Sequence, residues 1–362
     1  MTGRERLTAI MDRQPVDRLA WTVLVDDHTL RALPGRLRDL SGIEFSRHLG
    51  CDILQLEGWG TDCGFASPAL EWGPEVQEAT YVSGDEHVRE LRTERGTLTS
   101  VWRRSHPQRF FVESLEDLRV YRSAWEGARF VARDDRPAFE RVNALVGDEG
   151  IVTRFWGPSP VPRLLECDLG LEAFYYLLHD HAAEMEALLA LMDERFLEAY
   201  AALAQDPCDV VMLVENTSTT YISPEVYRRY SGPHVGDFVR TMQAAGKRAI
   251  IHMCGHVRGL LPDIGETALD GIHALTPPPT GDTPWELALD ALGEDMIICG
   301  VLDPTVFALG PVEAIGLALD RLYTPRLRGA PVILLVAADG IEVPLERFEA
   351  VARWMERNGQ LR

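Results

Sequence analysis

Eight short apolar runs of strand-forming residues recur along this chain, and most of them are separated by stretches with helical spacing. Runs that are apolar at consecutive positions are typical of parallel strands buried on both faces. Their alternation with helices predicts an α/β fold built on a parallel sheet. The predicted strands are centred on Trp21, Ile53, Val152, Val211, Ile251, Ile272, Ile298 and Ile333.

The number of strands favours a closed (β/α)8 TIM barrel over an open doubly wound sheet. No Gly-x-Gly-x-x-Gly or Walker-type loop follows a predicted strand, which weakens the nucleotide-binding alternative. Residues 76–104 instead show short β-like runs with turn signals at Ser83-Gly84-Asp85 and Arg95-Gly96. We therefore predict one barrel domain over residues 1–362, with a small β-rich insertion after the second strand at about 60–126.

Charge and hydropathy exclude several classes of protein. The formal net charge of −20 argues against a nucleic-acid partner or an anionic membrane surface. No run approaches the roughly 20 apolar residues that a membrane helix needs, so we expect no membrane association through such a helix. The polar N-terminus lacks the apolar core of a signal peptide, and a cytoplasmic location is expected.

Polar residues follow the predicted strands at their carboxyl ends, where (β/α)8 barrels place their active sites. Glu215 and Asp303 are the candidates for a catalytic role. Arg154 is expected to hold a carboxylate, and Trp156 and Tyr221 are expected to form walls around an apolar substrate. The complete set of expected substrate contacts comprises His28, Glu57, Arg154, Trp156, Asn216, Tyr221 and His256.

The fifth predicted strand ends in a His-x-Cys pair. Residues i and i+2 of a strand point to the same face, so His252 and Cys254 are expected to converge. Imidazole and thiolate are ligands that zinc prefers, and three protein ligands leave a fourth position for water or substrate. Asp339 and Glu215, at the ends of other predicted strands, could supply further ligands.

Each of these residues also has a structural interpretation. A His-x-Cys pair at a strand end is a weak signal, because cysteine is often buried as a small apolar residue. Asp303 before Pro304 and Asp339 before Gly340 fit helix caps or turns equally well. His273, inside a short strand, is expected to pack or hydrogen-bond rather than to bind a metal.

Several segments carry motifs of one known family. These are Arg4-Glu-Arg-Leu with Pro15-Val-Asp-Arg, Ile222-Ser-Pro-Glu-Val-Tyr and Cys299-Gly-Val-Leu-Asp-Pro, together with the more specific His252-Met-Cys-Gly. The chain resembles the uroporphyrinogen decarboxylase superfamily, and within it the zinc-dependent corrinoid methyltransferase branch. The resemblance implies a (β/α)8 barrel, zinc as Lewis acid, and a corrinoid carried on a partner protein. It also implies a monomer or a homodimer.

Two departures from the family pattern shape the expected activity. The Arg-Gln-Ala-Gly-Arg segment that binds uroporphyrinogen is absent, and Asp26, Asp27 and His28 occupy the corresponding region. Carboxylates there would repel a polycarboxylate porphyrinogen, so its decarboxylation is not expected. The third zinc ligand of the methyltransferases is a cysteine, and the matching position here is Asp339, so the resemblance implies a metal set of His252, Cys254 and Asp339. With an aspartate in place of a thiolate, the ligand set is harder in the hard–soft sense and donates less electron density to the metal.

The resemblance implies transfer of a methyl group between a small O- or N-methyl compound, or a thiol, and a corrinoid protein. Two other functions remain open on the sequence. One is a metal-independent decarboxylase or other lyase acting on a small carboxylate, with Glu215, Asp303 or Asp339 in proton transfer. The other is a non-catalytic barrel that binds a small molecule.

Overall fold

The computed structural model describes residues 1–361 and contains an eight-stranded parallel barrel, as the strand count predicts. Each predicted strand centre lies within one of these strands. Their bounds are β1 Ala20–Val25, β2 Ile53–Leu56, β9 Gly150–Trp156, β10 Val210–Val214, β11 Arg248–His252, β12 Gly271–Leu275, β13 Ile297–Val301 and β14 Val332–Ala338. In hydrogen-bonded order the strands run β1, β14, β13, β12, β11, β10, β9, β2.

The barrel closes between β1 and β2. The backbone N–H of Asp52 donates to the carbonyl of Trp21 at 2.9 Å. The backbone N–H of Leu54 donates to the side-chain oxygen of Thr22 at 3.3 Å. These two bonds join the outer strands of the sheet, so the mixed backbone and side-chain contact completes the ring.

The interior of the barrel is filled by apolar side chains. Inward-facing residues such as Met212, Ile250 and Ile333 belong to one buried cluster. The helix Gly3–Met11 contributes Leu7 to the same cluster, so it packs against the interior of the barrel. Because strand residues alternate between faces, the neighbours of these residues point outward and pack under the helices.

Helices surround the barrel and connect its strands. Six of the fifteen α-helices in residues 1–361 begin at a residue whose side chain caps the first turn, for example Ser41, which forms a capping box with Glu44. The α-helices are Gly3–Met11, Asp27–Arg31, Gly42–Leu49, Leu115–Glu126, Arg136–Val146, Pro160–Arg163, Gly170–Asp180, Ala182–Leu203, Pro224–Val226, Gly232–Ala244, Leu261–Gly265, Trp285–Leu292, Val312–Leu322, Pro325–Gly329 and Leu345–Asn358. Three π-helical segments, Leu164–Asp168, Tyr227–Ser231 and Thr305–Leu309, interrupt this pattern, as do 3-10 turns at Gly35–Asp39, Gly147–Glu149 and Arg258–Leu260.

The predicted β-rich insertion lies between β2 and β9. It contains a four-stranded antiparallel sheet of β4 Gln77–Ser83, β5 Glu86–Thr93, β6 Gly96–Arg103 and β7 His106–Arg109. Its buried face, which includes Leu91 and Leu98, packs against the helix Leu115–Glu126. A second pair, β3 Ala69–Glu71 with β8 Arg129–Val131, extends past the predicted bound at residue 126.

Within residues 1–361, no helix has the length and apolar character needed to cross a bilayer.

Candidate active site at the barrel mouth

Two histidines lie side by side inside the barrel, near the carboxyl ends of β11 and β12. The parallel register pairs His252 with His273, and His273 in turn with Cys299 of β13. The two Nδ1 atoms are 2.7 Å apart, so one ring donates and the other accepts. The prediction that His273 hydrogen-bonds or packs is confirmed. We call the space around the carboxyl ends of the barrel strands the barrel mouth.

Both imidazoles are held in the neutral form. Desolvation lowers the pKa of His252 to about 4. Desolvation, followed by the nearby His252, lowers the pKa of His273 well below its ordinary value. The Phe155 ring lies steeply inclined to both imidazoles, with ring centroids 5.2 and 6.0 Å away. The pair is therefore an uncharged, hydrogen-bonded unit at neutral pH.

Cys254 lies in the loop after β11 rather than on the strand. The strand ends at His252, and the backbone N–H of Met253 then donates to the carbonyl of His273 at 3.0 Å. The thiol of Cys254 is exposed. Its pKa is raised by desolvation in the barrel mouth and by the carboxylate of Glu166. The shared strand face predicted for His252 and Cys254 is thus replaced by a strand end and a turn.

Glu166 is a barrel-mouth residue that the sequence analysis missed. It belongs to the π-helical segment Leu164–Asp168 after β9. The side-chain amide of Asn216 donates to its carboxylate at 3.4 Å. Desolvation and Glu166 raise the pKa of Tyr221, with a smaller contribution from Cys254. Nothing in the local pattern around Glu166 indicates this position, since it follows the end of β9 at a distance along the chain.

Asn216 and Tyr221 frame this carboxylate from the loop after β10. Asn216 has a positive φ of 42°, in a region that non-glycine residues rarely adopt. Its backbone N–H donates to the carbonyl of His252 at 2.9 Å, which ties the loop to β11. The carbonyl of Tyr221 accepts a hydrogen bond from the hydroxyl of Tyr175 at 2.5 Å. Both predicted contacts therefore lie at the barrel mouth with Glu166, Cys254 and His252.

Glu215, a predicted catalytic residue, is fully buried behind the barrel mouth. Its carboxylate accepts hydrogen bonds from the hydroxyls of Ser159 and Thr217, the latter at 2.9 Å. Desolvation raises the pKa of Glu215 to about 7, although these hydroxyls oppose the rise. The carboxylate joins the loops after β9 and β10, and it has no surface from which to reach a substrate.

Arg154, the predicted carboxylate clamp, points away from the barrel interior. Phe155 faces inward, so its neighbour on the strand must face outward. The guanidinium is 2% exposed and lies 3.2 Å from Glu57, 3.3 Å from Asp135 and 3.5 Å from Asp206. Its positive charge is therefore surrounded by carboxylates between the barrel and the helices, which does not suit contact with a substrate.

Glu57 and Trp156 lie in the same outer layer. Desolvation raises the pKa of Glu57 to about 7, even though Arg154 opposes the rise. The ring of Trp156 packs against Phe196 at 5.5 Å between centroids, and against the rings of Phe130 and Tyr200. Trp156 lies two residues after Arg154 on β9, so the two side chains share one face of the strand. Both of these predicted substrate contacts therefore face the helices.

Asp303 acts as a cap. Its Oδ1 accepts the backbone N–H groups of Thr305 at 2.9 Å and Val306 at 3.2 Å, at the start of a π-helical segment. Its Oδ2 accepts the backbone N–H of Thr280 at 2.9 Å. These bonds lower the pKa of Asp303 despite the opposing effect of desolvation. The geometry matches the cap considered for this residue, with the carboxylate holding together the loops after β12 and β13.

Asp339, the predicted third metal ligand, lies beside Asp26 at the far side of the mouth. It is exposed, and desolvation and the charge of Asp26 raise its pKa. Asp26 accepts the backbone N–H of Gly340 at 3.0 Å. The exposed ring of His28 is 4.0 Å from Glu342, and this contact lies outside the histidine pair.

His256 follows Cys254 in the loop after β11. Its backbone N–H donates to the hydroxyl of Ser218 at 3.2 Å, and its carbonyl accepts the backbone N–H of Thr219 at 2.7 Å. Its side chain is partly buried. These bonds fix the loop after β11 against the loop after β10, so the backbone of His256 contributes to the shape of the mouth.

The family model described as uroporphyrinogen decarboxylase matches residues 166–356, which is more than half of the chain. The chain belongs to the uroporphyrinogen decarboxylase family. The matched region begins at Glu166 and includes His252, Cys254 and Asp339. No curated protein sequence matches the chain significantly.

Among solved structures, a methyltransferase from Methanosarcina mazei superposes on this member of the uroporphyrinogen decarboxylase family with a TM-score of 0.61. The two are 15% identical, and the match covers 99% of each chain. A D-psicose 3-epimerase crystallised with D-fructose gives a TM-score of 0.35 at 10% identity, covering 61% of this chain and 80% of the other. The first of these similarities supports the barrel fold over the full length.

The zinc set implied by the resemblance to the methyltransferase branch is not assembled in this family member. Within the part of the chain that the structure describes, no three His, Cys, Asp or Glu side chains are grouped so that they could hold a metal ion. Nδ1 of His252 is bonded to His273, and Asp339 lies beside Asp26. The donors as arranged do not fit a three-ligand zinc site, so no reaction step below is routed through a metal.

Proposed function

We propose that the chain is a methyltransferase-type enzyme whose active site lies at the barrel mouth. It would move a methyl group between a small O- or N-methyl compound, or a thiol, and a corrinoid on a partner protein. The observation that carries this proposal is the convergence of His252, His273, Cys254 and Glu166 at the carboxyl ends of the strands, where (β/α)8 enzymes act. Family membership and the full-length fold similarity to a methyltransferase support it.

The chain's own residues would bind and orient the methyl compound. The neutral histidine pair presents uncharged nitrogen atoms, and the ring of Phe155 offers apolar surface beside it. Methyl transfer is a displacement in which the departing heteroatom keeps the bonding electron pair. Holding the methyl carbon in line with the incoming nucleophile is therefore the main task of such a site. The corrinoid, when docked, would supply that nucleophile.

The rival function, a decarboxylase acting on a small carboxylate, receives less support. Such a site needs a cation to hold the carboxylate, and the expected one, Arg154, is paired with acidic groups in the outer layer. Glu215 and Asp303, the proton-transfer candidates, are engaged in holding loops together. These placements favour methyl transfer over decarboxylation.

The test is methyl transfer to reduced free cobalamin, which stands in for the corrinoid protein. The purified chain is mixed with methylated amines, ethers and thioethers, and methylation of the corrinoid is followed by its absorbance spectrum. We expect transfer from at least one donor class, with losses of tenfold or more in His252→Ala and Cys254→Ala. His179→Ala, at an exposed helix position, is the matched control and should transfer normally.

Three results would separate the alternatives. Release of carbon dioxide from a small acid without corrinoid would overturn the proposal in favour of the lyase. Binding of a methyl compound with no transfer to either reduced cobalamin or a thiol would favour the non-catalytic barrel. One zinc per chain that is lost in both His252→Ala and Cys254→Ala would overturn the conclusion that these donors do not form a metal site.

A further inference from the structure

The carboxylate of Glu166 has no cationic partner. Its hydrogen bond comes from the amide of Asn216, and no Arg, Lys or His of residues 1–361 forms a salt bridge with it. Asp168, in the same π-helical segment, shows the contrast: Arg163 donates to it at 2.9 Å and the hydroxyl of Tyr121 at 2.5 Å. One short segment therefore carries a neutralised carboxylate and a partly buried carboxylate without a counter-ion.

The position of Glu166 depends on irregular backbone. π-Helical segments interrupt α-helices mostly as single turns and are frequent at functional sites. Asn216, which donates to Glu166, is held at a positive φ of 42°. Strained residues of this kind persist where the surrounding structure imposes them, and they cluster at ligand sites. Two independent backbone features therefore converge on this one carboxylate.

Groups that suit a cation surround it. The phenol of Tyr221 and the thiol of Cys254 both lie near the carboxylate of Glu166. An aromatic ring beside a carboxylate is a favourable environment for an organic cation, because the face of the ring is electronegative.

An anionic ligand would meet the opposite situation. A negative charge placed in the mouth would be repelled by Glu166, and the side chain that was expected to receive a carboxylate, Arg154, faces the outer layer. A partly desolvated carboxylate without a counter-ion is energetically unfavourable. A ligand that brings a positive charge next to Glu166 therefore binds more favourably than a neutral one.

We propose that Glu166 is a specificity-determining residue that selects a cationic methyl donor, an N-methylated ammonium compound, over neutral ethers and over carboxylates. This inference rests on the proposed function, and it narrows the donor class. A cationic nitrogen also suits the chemistry. The C–N bond breaks, the nitrogen keeps the bonding pair and leaves as a neutral amine, and the methyl carbon bonds to the nucleophile of the corrinoid or thiolate acceptor. No proton has to be delivered to the leaving group.

The experiment measures binding alone, by titration calorimetry, with three probes of similar shape. Choline is the cation, 3,3-dimethylbutan-1-ol is its neutral carbon analogue, and 3,3-dimethylbutanoate is the anion. We expect choline to bind at least tenfold more tightly than either of the other probes. Glu166→Gln should weaken choline binding about tenfold and leave binding of the neutral alcohol unchanged, because the amide removes the negative charge that attracts the quaternary nitrogen. Glu166→Asp, which keeps the charge, should retain the order of the three probes.

Glu172→Gln is the matched control, since Glu172 is an exposed carboxylate on the next helix and should leave all affinities unchanged. Thermal unfolding of each variant verifies that it folds. The proposal is overturned if the three probes bind equally or not at all, if the carboxylate binds best, or if Glu166→Gln weakens the cation and the alcohol alike.

Failure of this inference and failure of the proposed function give different results. If choline binds in a Glu166-dependent way but no donor supports methyl transfer, the cation site is supported and the proposed methyltransferase function is refuted. If methyl transfer occurs from neutral ethers and choline is not preferred, the methyltransferase function is supported and the proposed role of Glu166 in selecting a cation is refuted.

Discussion

Replacement of Arg154 by methionine distinguishes a structural cation from a substrate clamp. The guanidinium is 2% exposed and lies 3.2 to 3.5 Å from the carboxylates of Glu57, Asp135 and Asp206. Its removal leaves three acidic groups close together without a cation. Breaking a buried ion pair by removing one partner costs about 3–5 kcal/mol. We expect Arg154→Met to lower the free energy of unfolding by about that amount at pH 7.

Urea unfolding followed by circular dichroism measures this loss, provided that the slope of the unfolding curve is unchanged. The loss of stability should be smaller at pH 5, because the carboxylates of Glu57, Asp135 and Asp206, left without Arg154, can then take up protons. Arg353→Met is the matched control: Arg353 pairs with Glu349 at 3.2 Å on the surface, and exposed pairs of this kind contribute about 0.5 kcal/mol. If Arg154→Met lowers stability by less than about 1 kcal/mol and raises the KM for a carboxylate substrate, the structural role is refuted and Arg154 binds the substrate carboxylate, as the sequence predicted.

Three further predictions concern the strand ends. The pKa of Glu215 is raised from 4.5 to about 7, so its contribution to stability is greatest below about pH 4.5 and is lost as the pH rises through about 7. The free energy of unfolding should therefore fall by up to about 3 kcal/mol between pH 5 and 8 in urea titrations, and Glu215→Gln should remove most of this fall. Asp303→Ala should cost about 1–3 kcal/mol in thermal unfolding and leave methyl transfer intact once folded; lost transfer at full stability would instead make Asp303 catalytic. His273→Leu should reduce methyl transfer more than His273→Asn, whose amide can replace the Nδ1 contact to His252, and equal losses would argue against that contact.

The fold was predictable because its main determinant is local. Strands of a parallel barrel are covered on both faces, so each leaves a continuous apolar run such as Val210–Val214 that can be counted from the sequence. The turn signals around Gly84 and Gly96 likewise indicate the antiparallel insertion. Both glycines have a positive φ: Gly84 lies in the turn between β4 and β5, and Gly96 begins β6 directly after the next turn. The order of strands around the barrel then follows from the order along the chain, with β14 returning to β1.

The functional assignment of polar residues was less predictable because it depends on long-range contacts. Glu166 reaches the mouth through a π-helical turn, whose extra residue per turn has no clear sequence signal. Asp303 and Glu215 look catalytic in the sequence, since they follow barrel strands. Their roles as acceptors for loop N–H and hydroxyl groups become visible only when the neighbouring loops are in place.

The face that a strand-end residue occupies explains the remaining differences. On an amphipathic strand, hydrophobic alternation would reveal which residues point inward, but a strand covered on both faces carries no such alternation. On β9, Phe155 faces the histidine pair while Arg154 and Trp156 face the helices. A shift of one residue would bring Arg154 into the mouth beside His252, and would there create the carboxylate site that the sequence suggested. The register of β9 against β10, which pairs Arg154 with Val211, excludes this arrangement and leaves Glu166 as the charge that a ligand must neutralise.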